Sequence, residues 1–154
     1  MLLHFFRWAD HLWIAESIRA STWSFALIEV FHLFGLTLLL GTVCVVNLRL
    51  FGAGLKSQKL GDVATDAMPF TAAGIIVTMG SGFLLFASEA MKCYASTPFM
   101  AKMVMLFAAF LFTFFFQRHM TRTDQPSSGA KIAAGISLLL WFGVGLAGRA
   151  IAFF

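Results

Sequence analysis

His32 lies within a long apolar run, 23–46, and Glu29 precedes it by one helical turn. A run of this length crosses the hydrocarbon core of a bilayer. An imidazole and a carboxylate are costly there, so the pair reads as a functional site before it reads as packing. Glu89, Lys102 and Arg149 fall near the ends of the other apolar runs. At 1.5 Å per helical residue, Glu29 lies about 9 Å and His32 about 14 Å below Trp23, with Lys102 about 5 Å below Phe99 on the same side. Each apolar run thus offers an ionisable group to one end of a bundle. Taken singly, Glu89, Lys102 and Arg149 also fit side chains that reach back to the interface.

An imidazole in apolar surroundings with cations above it suits haem b. Iron takes a neutral imidazole as axial ligand, the porphyrin face needs an apolar slot, and the propionates need Arg or Lys near the interface. His32 is therefore expected to be the metal ligand and Glu29 to tune it or carry a proton to it. Lys102 and Arg149 are expected to hold propionates or supply a further ligand, and Glu29 and Lys102 are the candidates for acid–base chemistry. A second deep histidine is lacking, since His4 and His11 belong to the N-terminal segment and His119 falls at the opposite face. Met79, Lys102, His11 and an open position all remain for the second axial site. Gly35, Gly41 and the spacing Gly74-x-x-x-Thr78-x-x-x-Gly82 give thin helix surfaces that would admit a flat macrocycle. The same small residues form the ordinary seam of packed membrane helices, the weightier of the two readings.

Other chemistries fit parts of the pattern. Met91, Cys93, Met100 and Met103 cluster around one connection, and thioether and thiolate ligands select Cu(I). Among eight methionines in so apolar a chain, such clustering also arises by chance. Glu29 and His32 could instead form a proton relay, a small-solute path, or an internally bonded pair in an accessory subunit whose Phe-rich third run, 107–116, packs on a larger partner. A dedicated transporter is disfavoured by the lack of an inverted repeat and of any proline in the later runs beyond Pro69.

The elements that must position these groups follow from hydropathy. With 60% hydrophobic and 12% charged residues and a mean hydropathy of +0.86, the chain has too little polar surface for a water-soluble globule. Four spans are expected, about 23–48, 69–90, 99–117 and 130–153, and they nearly exhaust the 154 residues. The fold class is an all-α integral membrane protein, an up-down four-helix bundle forming a single domain over 1–154. The connections 49–68, 91–98 and 118–129 carry the Gly, Ser, Pro, Asp and Lys that spans avoid, and their shortness makes sequential helices neighbours. Residues 1–20 are too often interrupted by charge for a span or a cleavable leader. Phe5, Trp8, Leu12 and Ala15 at helical spacing predict one amphipathic helix in the headgroup region. The two cysteines, Cys44 and Cys93, suggest no disulfide. The net charge of +4 comes from basic residues flanking apolar runs, so the partner is lipid and nucleic acid is excluded. Six Lys and Arg flank one face against five on the other, which points both termini outward.

The segments His32-Leu-Phe-Gly-Leu-Thr-Leu-Leu-Leu-Gly41, Asn47-Leu-Arg49-Leu-Phe-Gly52, Gly82-Phe-Leu-Leu-Phe86 and Tyr94-Ala-Ser-Thr-Pro-Phe99-Met-Ala-Lys102 resemble a bacterial four-helix membrane family catalogued as a domain of unknown function. That family more often carries Asp where Asn47 stands. More distantly, His32 followed by Arg49-Leu-Phe51, and the Phe99-x-x-Lys102 opening of the third run, look like HemJ-type protoporphyrinogen oxidases and the CopD membrane domain. The HemJ-type likeness implies a haem or porphyrin site at His32 and Lys102, with electrons passing to the respiratory chain. This chain lacks the Trp soon after the histidine and the Tyr-His after Arg-Leu-Phe of that group. The expectation is a multi-pass protein of the bacterial inner membrane with periplasmic termini, carrying electrons or acting on haem or porphyrin. Its expected partners are a respiratory or quinone redox partner and further copies of itself.

Overall fold

The computed structural model describes residues 2–55, 57–117 and 127–150. Four helices among them are long and apolar enough to cross a membrane. α3 (Ser24–Phe51) and α4 (Leu60–Ser88) are followed by α6 (Thr97–Phe112), which continues into a π-helical turn, Thr113–Gln117, and by α7 (Ser128–Ala150). Three short helices sit at the end of the bundle that bears the N-terminus: α1 (Leu2–Asp10), α2 (Trp13–Ala20) and α5 (Ala90–Ala95). The protein is a four-span membrane helix bundle, as its hydropathy requires.

Local chemistry sets the boundaries. α3 stops at Gly52, whose φ of 73° is the left-handed conformation that glycine adopts without a Cβ penalty. Its N–H closes on Arg49 O, and Arg49 folds back to donate from Nε to Gln58 O at 2.9 Å, holding the turn into α4. α6 starts where the Ser96 hydroxyl accepts from the Phe99 N–H, with Pro98 in the first turn where its missing N–H costs nothing.

The chain is more helical than its composition suggests. α4 begins at Leu60, so much of the expected 49–68 connection is helix and Pro69 lies inside it. Asp62, Thr65 and Asp66 are exposed on this extension, which lets a polar stretch stay helical where the span leaves the hydrocarbon. The 91–98 connection holds α5. The N-terminal segment is two helices rather than one, broken at His11–Leu12, where Leu12 turns extended at ψ 135°. Its buried face is also displaced from the expected one. Phe6, Ala9, Ala15 and Ile18 are buried, whereas Phe5 and Trp8 are exposed. Trp13 at 79% and Trp23 at 74% exposure join Trp8 at this end, where indole rings belong in the headgroup layer. Arg19 ties the break together, donating to Asp10 Oδ1 (3.1 Å), Asp10 O (2.7 Å) and Ser88 O (3.2 Å), and so pins α1 and α2 to the end of α4.

The packing order is α4, α3, α7, α6. α3 lies closely along α4, α7 touches α3, and α6 packs on α7. α4 and α6, consecutive spans expected to be neighbours, stand apart along most of their length. α3 and α4 approach through small residues. A Cβ on Gly35 would come within 2.8 Å of Thr78 Oγ1, and one on Gly74 within 2.8 Å of Leu39 N. Gly41 takes no part, with nothing within 4 Å of where its Cβ would be. On the other side of α3, Asn47 Nδ2 donates to Ser137 Oγ at 3.3 Å, both fully buried, and joins α3 to α7.

Candidate functional site

Between the separated α4 and α6 lies a cavity of about 490 Å³ lined by all four spans and roofed by α1. Its walls are almost wholly apolar. Leu36, Leu39 and Leu40 of α3 face Leu106 and Phe110 of α6, with Val144 of α7 between them. His32 and Lys102 are the ionisable residues that line it.

His32 is half-buried and held from one side. Its Nδ1 lies 3.1 Å from Thr78 O and 3.1 Å from Ser81 Oγ. A carbonyl can only accept, and the Ser81 hydroxyl donates to Val77 O, so both partners are acceptors toward the ring. Nδ1 therefore carries a proton, and in the neutral ring the lone pair is on Nε2. A carbonyl that fixes one ring nitrogen as donor is the usual support of a histidine that ligates metal through the other. Gly82 makes the placement possible, because a Cβ there would fall 3.0 Å from His32 Cε1. Thr78, Ser81 and Gly82 recur three and four residues apart on one face of α4, which is how one stretch of helix provides both the acceptors and the gap.

Lys102 is half-buried and runs along Gly148 of α7, where an added Cβ would meet its Nζ at 3.4 Å. No carboxylate among the described residues pairs with it. Glu89 is engaged elsewhere, bonded to Lys92. Glu29 is exposed on α3 and does not line the cavity, although it shares a helix face with His32 in sequence register. Gly35 lies in the α3–α4 seam and not at the cavity wall. Met79 does line the cavity. The side chain of Arg149 and all of His119 lie outside the described residues, and His4 and His11 are exposed on α1 and at the break after it. Of the residues singled out from sequence, the structure thus brings His32, Thr78, Met79, Gly82, Met100, Lys102 and Met103 to one cavity.

The cavity ends are closed by aromatic residues. Toward the N-terminal end, Phe86 stacks on Phe99 with ring centroids 5.6 Å apart and meets Phe6 edge-on at 5.2 Å. At the other end Trp141, only 3% exposed, meets Phe110 edge-on at 5.4 Å and donates from Nε1 to Thr113 Oγ1 at 3.0 Å. Thr113 opens the π-helical turn, a local widening that often accompanies a functional position. Ser81 and Trp141 carry no signal in the sequence, and Phe86 and Phe99 stand there only as parts of the resembling motifs, since a serine or an aromatic inside an apolar run carries no mark of the neighbour it will meet.

The cysteine and methionine cluster does not converge. Met100 and Met103 line the cavity, Met91 is exposed, and Cys93 is buried against Phe6, Ala9 and Ala90. Burial pushes the Cys93 thiol up from its ordinary value, and the Glu89 carboxylate adds to the effect. Among the described residues no group of three or more His, Cys, Asp and Glu is placed to hold a metal ion.

No curated protein and no solved structure matches the chain, and the likeness to HemJ-type oxidases and CopD domains rests on short motifs alone. One family model does match, over residues 5–154, which includes every cavity residue named above. The chain belongs to the DUF6644 family, a family of unknown function.

Proposed function

We propose that this protein binds b-type haem in the cavity between α4 and α6 and serves as a membrane electron carrier or a haem or porphyrin redox protein. One observation carries the reading: His32 Nδ1 is engaged by Thr78 O and Ser81 Oγ, which makes Nε2 the ligating nitrogen of the neutral ring in an apolar cavity. A volume of about 490 Å³ falls in the range of sites that enclose small molecules. The residues fit the group. His32 would ligate iron, the leucine and phenylalanine walls would hold the macrocycle and exclude water, and Lys102 would face a propionate. Met79 lines the same cavity and would be a candidate to help hold the group beside His32. Haem, when bound, supplies a one-electron couple whose potential follows its axial ligands and the dryness of its surroundings. The chain's own part is to keep His32 in one tautomer, to hold a cation at the carboxylate end, and to seal the ends with aromatic rings. The bacterial inner membrane, with the α1 end outward, and a respiratory or quinone partner complete the proposal.

A second reading has one observation in its favour. Met79, Met100 and Met103 line the same cavity as His32, and thioethers with an imidazole suit Cu(I). The visible spectrum separates the two. Protein purified in mild detergent from haem-replete cells is expected to show a Soret band, with α and β bands after dithionite. His32→Ala is expected to abolish them while the protein still accumulates in the membrane. Full haem retention by His32→Ala would remove the assignment, and a colourless protein containing copper would establish the second reading.

A further inference from the structure

The cavity has walls, a roof and a floor, but one side is open. α3 seals against α4 through Gly35 and Gly74, α7 bridges α3 and α6, and α4 and α6 leave a gap along the bundle. Met79 and Phe83 of α4 and Met100 and Met103 of α6 line the cavity and are also exposed, Met79 by 40% and Met103 by 45%. They form the lips of this gap, and in a membrane-spanning bundle such lips face lipid. The two ends give no comparable way in. Toward the N-terminal end the Phe6, Phe86 and Phe99 rings fill the space beneath α1, and at the other end Trp141 lies in a buried cluster with Leu39, Val43, Ala109 and Val144. Lys102 adds the second constraint. It is a cation on an apolar wall, one turn into α6 from the N-terminal end, with no carboxylate partner among the described residues.

Resting on the haem reading, we infer that the cavity is loaded sideways from the bilayer, through the gap between α4 and α6, by a membrane-dissolved, carboxylate-bearing macrocycle. Its apolar edge passes between the methionine lips toward Trp141 and its carboxylate comes to Lys102. Unbranched methionine side chains suit such a passage, because they move aside at little cost and close over whatever has entered. The ligand's source is then the membrane and not the water on either side, and the protein draws on porphyrin partitioned in lipid.

Bridging the gap tests this. Ile76 on α4 and Phe107 on α6 are exposed, lie outside the cavity lining, and sit about one turn beyond Met79 and Met103 at similar depth. The full chain with Cys44→Ser, Cys93→Ser, Ile76→Cys and Phe107→Cys would be bridged in detergent with bifunctional thiol reagents of graded length. It would then be mixed as proteoliposomes with vesicles carrying hemin. The expected result is a Soret shift after monofunctional labelling and none after bridging, while protein loaded before bridging keeps its hemin against added apomyoglobin. Equal uptake by bridged and unbridged protein would overturn lateral loading and leave haem binding intact. No hemin spectrum in the parent chain, with or without cysteines, would overturn the haem reading itself, and this inference with it. Hemin dimethyl ester should bind the parent chain more weakly than hemin, and Lys102→Met should erase that difference. A preference for free hemin that persists in Lys102→Met would overturn the carboxylate contact.

Discussion

At the scale of single residues, the site depends on which nitrogen of His32 is left free. The acceptors that decide it are a backbone carbonyl, which no substitution removes, and the Ser81 hydroxyl, which can be removed. Ser81→Ala should therefore loosen the ring without releasing it, weakening hemin binding by about 10- to 100-fold, the usual cost of losing an outer partner of a ligating histidine. Hemin titration in detergent would measure it, and an unchanged affinity would mean that Thr78 O alone holds the tautomer. Cys93 offers a check on the roof. Because burial holds its thiol above the ordinary value, maleimide labelling of the native protein at neutral pH should be slow and should accelerate only as pH rises beyond that of an ordinary thiol. Fast labelling at neutral pH would mean that α1 does not cover it in the membrane.

At the scale of the helix, the glycines divide by their surroundings. Gly74 faces the backbone of Leu39, which cannot yield as a flexible side-chain tip can. Gly74→Ala should cost about 1–3 kcal/mol by overpacking the α3–α4 seam, read as a lower unfolding midpoint in mixed micelles. Gly41→Ala adds a methyl to open space, and its midpoint should not fall. Equal losses at both positions would show that α3 and α4 do not pack through this seam. The helices were legible in the sequence as spans because hydrocarbon accepts any apolar helix whatever it later touches. Their ends were less so, since α4 runs nine residues ahead of Pro69, and composition cannot tell a polar turn from a polar stretch of helix at the interface.

For the whole molecule, the cavity exists because one pair of consecutive spans does not close. Trp141 is the residue that holds its floor while joining α7 to α6. Trp141→Phe keeps a ring against Phe110 and loses the bond to Thr113, and should cost about 1 kcal/mol. Trp141→Ala empties the floor and should cost about 3–5 kcal/mol, within the usual range for removing a large buried side chain. Unfolding in mixed micelles distinguishes the two, and a mild effect of Trp141→Ala would mean that the floor collapses around the loss.

The chain's membrane class, its four spans and the convergence of His32 and Lys102 toward one end were settled by sequence alone, because each depends on depth along a helix, which counting residues measures. The direction in which each residue faces was decided by tertiary structure. The spans are apolar nearly all the way round, so nothing in them marks the side that meets protein from the side that meets lipid. Packing turned Glu29 outward and drew Gly35 into a helix seam. It also brought Ser81 beneath His32 and left Lys102 on an open wall without a carboxylate partner among the described residues.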